Sequence, residues 1–285
     1  MPASVIVTSY NSPATLRQCL RSLSQQPCGE IIVADSSEEN PAPWLSREFP
    51  EVMLRRFPVA TTVPVMRWAA LQDTRFEVVL AVEARCVPES GWVQALEDAH
   101  ARYPLVPAIG GLVAAGGNLS KFDWALFFCE YGRFAPPQSE AETYDLSGAS
   151  LSYKRRLLEA EPDLLRAGAW ETLLHLRWMG RGLKLVLTPT EVTFHNSMAP
   201  RVALRQRFHY GRGYAGHRAR RWAYILSTPL LPVLLVWRIA RAARRSRYAC
   251  HFAAARPWVI GLTIAWCLGE LTGYLAGPPR SARNF

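Results

Sequence analysis

Three short stretches place polar or charged side chains directly behind apolar runs. Ser4–Val7 leads into Thr8-Ser9-Tyr10-Asn11, Ile31–Ala34 into Asp35-Ser36-Ser37, and Leu80-Ala81-Val82 into Glu83-Ala84-Arg85. Hydroxyls beside one aromatic suit a base and ribose. A carboxylate accepts hydrogen bonds from a base or holds a divalent cation, and an arginine forks onto phosphate oxygens. Taken singly, Tyr10 reads as a packed aromatic and Asp35 as a turn or helix cap. Their joint occurrence, each behind an apolar run, points to a nucleotide-like ligand.

Other groups have no spacing that carries chemistry. Gly110-Gly111 and Gly116-Gly117 lack the Lys and Ser/Thr of a phosphate loop and the spacing of a dinucleotide fingerprint, so they are expected in turns. Cys19, Cys28, Cys86, Cys129, Cys250 and Cys267 form no CxxC pair and read as reduced thiols in a cytosolic core. The histidines at 100, 175, 209, 217 and 251 have no ligand spacing.

The elements that position the polar tips follow from the same runs. Ser4–Val7, Glu30–Ala34 and Phe76–Val82 are rich in Val and Ile, as strands buried on both faces are. Between the first two, Ser12–Leu23 opens with a capping residue and a Pro and sets Leu16, Cys19, Leu20 and Leu23 on one helical face. A further helix is expected over Glu89–Arg102. This alternation predicts a doubly wound α/β sheet with ligands at the carboxyl ends of its strands. Helices are expected at Lys154–Glu159 and Trp170–Met179, and a strand at Leu183–Leu187.

With 285 residues, 49% apolar and 20% charged, the chain is neither fibrous nor disordered. Its charge is uneven: residues 1–195 hold 18 Lys/Arg against 22 Asp/Glu, whereas 196–285 hold 15 Arg against Glu270 alone. The second part also has two apolar runs, the 16 uncharged residues Trp222–Trp237 and the 21 residues Pro257–Gly277, broken only by Glu270. A spanning helix needs about 20 apolar residues. Pro229 and Pro232 interrupt the first run, and Arg238, Arg241, Arg244, Arg245, Arg247 and Arg256 fill the connection. Were both runs to cross a bilayer, those arginines would face opposite the N-terminal domain, against the positive-inside rule. The expectation is a re-entrant or interfacial hairpin, its arginines attracted to anionic headgroups at about 1 kcal/mol each; two buried helices of a soluble domain are the alternative.

Arg201–Arg221 mixes arginines with Phe208, Tyr210 and Tyr214, a pattern that grips nucleic acid or phospholipid. The apolar runs that follow favour a membrane, and no nucleic-acid partner is expected. Arg205, Arg207 or Arg212 could also reach the phosphates of a bound nucleotide. Met1 leads into Ser4–Val7 without a signal leader. The expected organisation is a folded domain over 1–200 facing the cytoplasm at the inner membrane, and a basic linker with membrane-associated helices over 201–285.

From residue 4 to about 196 the order and spacing of these motifs resemble the family-2 glycosyltransferases. The matching pieces are the opening Thr8-Ser9-Tyr10-Asn11, the acid Asp35, and Glu83-Ala84-Arg85 with Pro88 and Gly91-Trp92 at the family's D-x-D position. Leu146-Ser147-Gly148-Ala149 before Tyr153-Lys154-Arg155 and Trp170-Glu171-Thr172-Leu173-Leu174 complete them. The resemblance implies a GT-A-like doubly wound mixed sheet, here followed by a C-terminal helical membrane-associated hairpin. It implies a nucleotide-diphosphate sugar donor held by Thr8, Tyr10, Asp35, Arg67, Glu83 and Arg85, with Arg67 near base and phosphates. Gly148 and Ala149 would line the acceptor side, and Glu171 would be the base of an inverting transfer of a hexosyl type; its other reading is an acid complementing a helix N-terminus.

The chain departs from the family at D-x-D, where the acids hold Mg²⁺ or Mn²⁺ against the diphosphate. An arginine binds no metal. Three readings stand side by side: Glu83 ligates the ion with His195, Arg85 neutralises the diphosphate itself, or catalysis is lost; the expectation is weakened metal dependence. The expected acceptor is a lipid-linked saccharide or a surface-polysaccharide precursor. The alternative function is a non-catalytic GT-A-fold protein that docks or regulates a membrane assembly.

Overall fold

The computed structural model describes residues 2–166, 170–196, 198–216, 225 and 227–277. Its chain divides into two compact units, one of residues 1–114 and 138–197, the other of 115–137 and 198–285. The sequence reading drew its boundary near residue 200; the units close across that line, because 115–137 packs with the C-terminal helices.

The first unit is built on strands β1 (Ala3–Ser9), β2 (Glu30–Asp35), β3 (Met53–Arg56) and β4 (Val78–Glu83), which run parallel in the order β3-β2-β1-β4. Beyond β4 the sheet turns antiparallel through β8 (Ser150–Lys154) and β6 (Ala108–Ala115), then continues to β9 (Leu185–Phe194) and β5 (Cys86–Pro88), with β7 (Ala141–Thr143) also on β9. Every residue of β1 is buried, as apolar runs without alternation require. Helix α1 (Pro13–Leu23) buries Leu16, Cys19, Leu20 and Leu23. Helix α2 covers Ala42–Glu48, and α3 (Val63–Leu71) lays Met66, Ala70 and Leu71 into the core with Ile6, Ile32 and Ala34. The next helix, α4 (Trp92–Arg102), begins three residues later than expected because Gly91 at φ +81° closes the preceding turn.

Gly110 and Gly111 lie within β6, not in a turn. A Cβ on Gly110 would stand 2.7 Å from Leu146 Cδ2, and one on Gly111 2.6 Å from the Thr190 carbonyl oxygen, so both positions need glycine for close approach.

In the second unit, α5 (Lys121–Glu130) starts at a capping box: Ser120 Oγ accepts from the Asp123 amide at 3.2 Å, and Asp123 accepts from the Ser120 amide at 2.9 Å. It buries Phe122, Trp124, Phe127 and Phe128. Short helices α6 (Arg155–Glu159) and α7 (Pro162–Arg166), then α8 (Thr172–Gly180), belong to the first unit. The C-terminal helices are α9 (Pro200–Gly216), α10 (Leu231–Arg245) and α11 (Ala249–Ala276). Trp124 of α5 stacks on His251 of α11 with centroids 4.1 Å apart, and Phe128 meets Phe252 edge-on at 5.4 Å.

Pro232 stands in the first turn of α10, where its missing N–H costs nothing, so it starts a helix. Pro257 lies inside α11, which extends eight residues before the apolar run begins. Helix α11 is long and apolar enough to cross a membrane, yet nearly half of its apolar window is buried inside the protein. Of the cysteines expected in the core, Cys250 is exposed. Part of the Trp222–Trp237 run and Arg218, Arg220 and Arg221 lie outside the described residues.

Candidate active site

Strand register sets the first half of the site. Asp35 ends β2 opposite Ser9 on one side and Arg56 on the other; one row earlier, Thr8 of β1 stands beside Glu83 of β4. All three tips therefore meet at the carboxyl edge of the parallel strands. Neighbouring rows alternate faces of the pleat, which separates the Asp35 row from the Glu83 row.

On the Asp35 row the carboxylate already has three partners within the protein and keeps acceptor capacity on Oδ2. It accepts from the Ser37 amide at 3.1 Å and the Ser37 hydroxyl at 2.7 Å, and it pairs with Arg56, which also donates to the Ser37 carbonyl at 2.9 Å. Asn11, at φ +47°, donates its amide to Ser37 Oγ at 2.8 Å, which ties the loop after β1 to the loop after β2. Tyr10 lies in that loop, half-buried. The hydroxyl of Thr8 is buried and has no hydrogen-bond partner among the described residues, so a ligand here would find a polar atom still to satisfy.

The second cluster forms around Glu171. Arg67 is delivered by the buried face of α3 and is only 1% exposed. Its guanidinium pairs with Glu171 Oε1 and donates to the Gly148 carbonyl at 2.6 Å. Expected beside base and phosphates, Arg67 thus has its charge committed to the candidate base. Glu171 occupies a left-handed backbone position, φ +50°, immediately before α8, a conformation that costs a non-glycine residue of order 1–3 kcal/mol. Its carbonyl accepts from His175 at 2.8 Å, and the ring of His175 meets the Tyr153 hydroxyl at 3.1 Å. Burial pulls the His175 ring down to about 3, so it stays neutral.

Burial raises the Glu171 carboxyl above the ordinary range; Arg67 pulls it back, and the Glu83 and Asp145 carboxylates push it further up. Those last contributions bring Glu83 and Asp145 into the same electrostatic neighbourhood. A Cβ on Gly148 would stand 2.6 Å from Glu171 Oε1 and 3.1 Å from Arg67 Nη1, so glycine is the residue that leaves the pair in place. Ala149, buried, stands next, immediately before β8.

At the position of the acid pair, Arg85 donates to Glu83 Oε2 at 3.1 Å, and its guanidinium lies 5.6 Å from the Phe194 ring. His195 donates its amide to the Arg85 carbonyl at 2.7 Å, so β9 brings it beside this pair through the backbone. Among the described residues no three His, Cys, Asp or Glu side chains gather as a metal would require. Glu83 with a guanidinium on it does not fit a divalent ion held by an acid pair.

Sequence reasoning missed Arg56 and Asp145. The signal for Arg56 was the buried acid at the tip of β2, which needs a countercharge on its neighbour strand; Met53-Leu54-Arg55-Arg56 is too short and too charged to read as that strand. Asp145 stands one residue before the Leu146–Ala149 segment.

The family described as Glycosyl transferase family 2 matches residues 4–160. No curated protein matches the chain by sequence. Among solved structures, a mannosyltransferase from Pyrobaculum calidifontis in complex with GDP-Man and Mn²⁺ is similar over 96% of this chain and 87% of its own, at 17% identity and TM-score 0.56. TarS from S. aureus is similar over 93% of this chain and 55% of its own, at 14% identity and TM-score 0.52. Glucosyl-3-phosphoglycerate synthase from Mycobacterium tuberculosis, bound to phosphoglyceric acid, is similar over 74% and 78%, at 15% identity and TM-score 0.51. A mixed sheet whose parallel half carries the polar tips, a match over more than half the chain, and neighbours of this architecture agree: the fold is GT-A, and the chain is a member of glycosyl transferase family 2.

Proposed function

We propose that this glycosyltransferase moves a hexosyl group from a nucleotide-diphosphate donor to a hydroxyl with inversion, Glu171 acting as base. The acceptor oxygen attacks the anomeric carbon, the bond from that carbon to the diphosphate oxygen breaks, and the hydroxyl proton passes to the Glu171 carboxylate. Thr8, Tyr10 and the Asp35 row hold the nucleoside. Arg85 meets the charge growing on the departing diphosphate, which lowers the requirement for Mg²⁺ or Mn²⁺. The acceptor, held past Gly148 and Ala149, is a lipid-linked saccharide or surface-polysaccharide precursor, met at the cytoplasmic face of the inner membrane.

The observation that carries this reading is the setting of Glu171: a carboxylate on a left-handed backbone, raised by burial above its ordinary range, against Gly148, whose lack of a side chain leaves it room. The rival reading, a non-catalytic protein of the same fold, draws on the Arg67 pairing of that carboxylate and on the altered acid pair. A thermal-shift panel of UDP-, GDP- and dTDP-sugars, followed by turnover of Glu171→Gln, separates them. A donor at 100 times its dissociation constant stabilises by about 2.7 kcal/mol. The enzyme reading expects the shift to survive in Glu171→Gln while turnover falls by about 10²- to 10⁴-fold. Equal turnover in mutant and parent refutes it.

A further inference from the structure

Helix α10 presents one outward stripe of mixed chemistry. Leu230, just before it, is 72% exposed, and Val233, Leu234 and Trp237 are 71%, 49% and 56% exposed. Continuing at the same three- and four-residue spacing, Arg238, Arg241, Arg244 and Arg245 are also exposed. One face of the helix is thus apolar over its first two turns and basic over its last two. Arg241 lies 5.6 Å from the Trp237 ring, where the halves meet. No acid occurs anywhere between residues 196 and 269 to neutralise these arginines.

This order of chemistry selects the occupant. A nucleic acid would satisfy the arginines and leave three large aliphatic side chains in water. An apolar protein groove would cover the aliphatic half and desolvate the guanidinium groups without a countercharge. A bilayer offers hydrocarbon beneath a layer of phosphates, and Trp at the junction lies where that residue prefers to be. Helix α11 of the same unit adds exposed Ile260, Ile264, Leu268 and Leu275, with no charge from Pro257 to Gly269.

We propose that α10 is an interfacial helix that docks the chain on an anionic lipid surface, its Leu230–Trp237 half immersed among acyl chains and Arg238–Arg245 on lipid phosphates. The proposal deepens the membrane reading above by placing the contact on one face of α10, apolar over its first turns and basic over its last, and it stands apart from glycosyl transfer.

The test is flotation of the purified full chain with vesicles of phosphatidylcholine alone, or with about one third phosphatidylglycerol. Binding is expected to the anionic vesicles, tighter at low salt. Replacing Arg238, Arg241, Arg244 and Arg245 together with Gln should weaken it by about a hundredfold or more, and replacing all four with Lys should preserve it. Leu234→Ser with Trp237→Ser should weaken binding by about tenfold at any salt. Equal binding to both vesicle types, no binding, unchanged binding by the Gln variant, or displacement by RNA at low excess overturns the proposal. Nucleotide thermal shifts measured on the same variants report the fold, and the Lys variant decides the case if the Gln variant fails to fold. Failure on vesicles with donor shifts intact overturns only the docking, whereas lost donor shifts in the parent count against the transfer reading.

Discussion

In the proposed reaction Glu171 is the base, and its environment makes a signed prediction. Its carboxyl is raised by burial, so the folded state keeps the proton to higher pH than the unfolded chain does. Turnover should therefore rise with pH through a midpoint above the ordinary carboxylate range, as the base ionises. The same shift makes this group's contribution to stability fall as pH rises through that window. Arg67 opposes the shift, so Arg67→Met should move the midpoint of kcat/KM upward; a midpoint that stays or falls contradicts the assignment. The Arg85–Glu83 pair makes a second prediction at this scale. Parent turnover should persist in EDTA, and Arg85→Asp, which removes the guanidinium and supplies a second acid, should become dependent on added Mn²⁺, as an initial-rate titration would read. Parent activity that vanishes in EDTA and returns only with Mn²⁺ defeats this account.

Among the elements, α9 and α11 are held together by glycine. A Cβ on Gly269 would collide with the Phe208 carbonyl, and one on Gly211 with that of Trp266. Backbones this close leave no space for a side chain, and neither carbonyl can move without distorting its helix. Overpacking of a tight contact costs about 1–3 kcal/mol and more where the backbone must shift. Gly269→Val should lower stability by at least about 2 kcal/mol in a urea melt, whereas Gly261→Ala, with nothing within reach of its Cβ, should be nearly neutral. The buried Glu270 beside this seam is held by Trp266 Nε1 at 2.6 Å and the Tyr274 hydroxyl at 3.1 Å, so the one acid of the apolar run is satisfied inside the protein.

For the whole molecule, the two-unit division has a consequence for truncation. Residues 115–137 supply α5, whose Trp124, Phe127 and Phe128 pack on Tyr248, His251 and Phe252. A chain ending at residue 197 would expose this aromatic face. It should be recovered mainly as aggregate by size-exclusion chromatography, although it retains every residue assigned to the site. A soluble monomer with a full donor thermal shift would show that α5 needs no such cover.

The sequence by itself determined the parallel half of the sheet, because strands buried on both faces must be continuous apolar runs, and it fixed which polar residues follow each run. It also determined the charge asymmetry and the position of the apolar stretches. Tertiary structure alone decided how those groups combine. Register placed Arg56 on Asp35 and separated that row from Glu83, and the packing of α3 carried Arg67 across 104 positions of sequence to Glu171. Gly110 and Gly111 read as turn residues until β8 and β9 were seen to press on them. Apolar periodicity reports burial one element at a time, whereas ion pairs, close approaches and unit boundaries are properties of two elements at once, fixed only when distant segments pack.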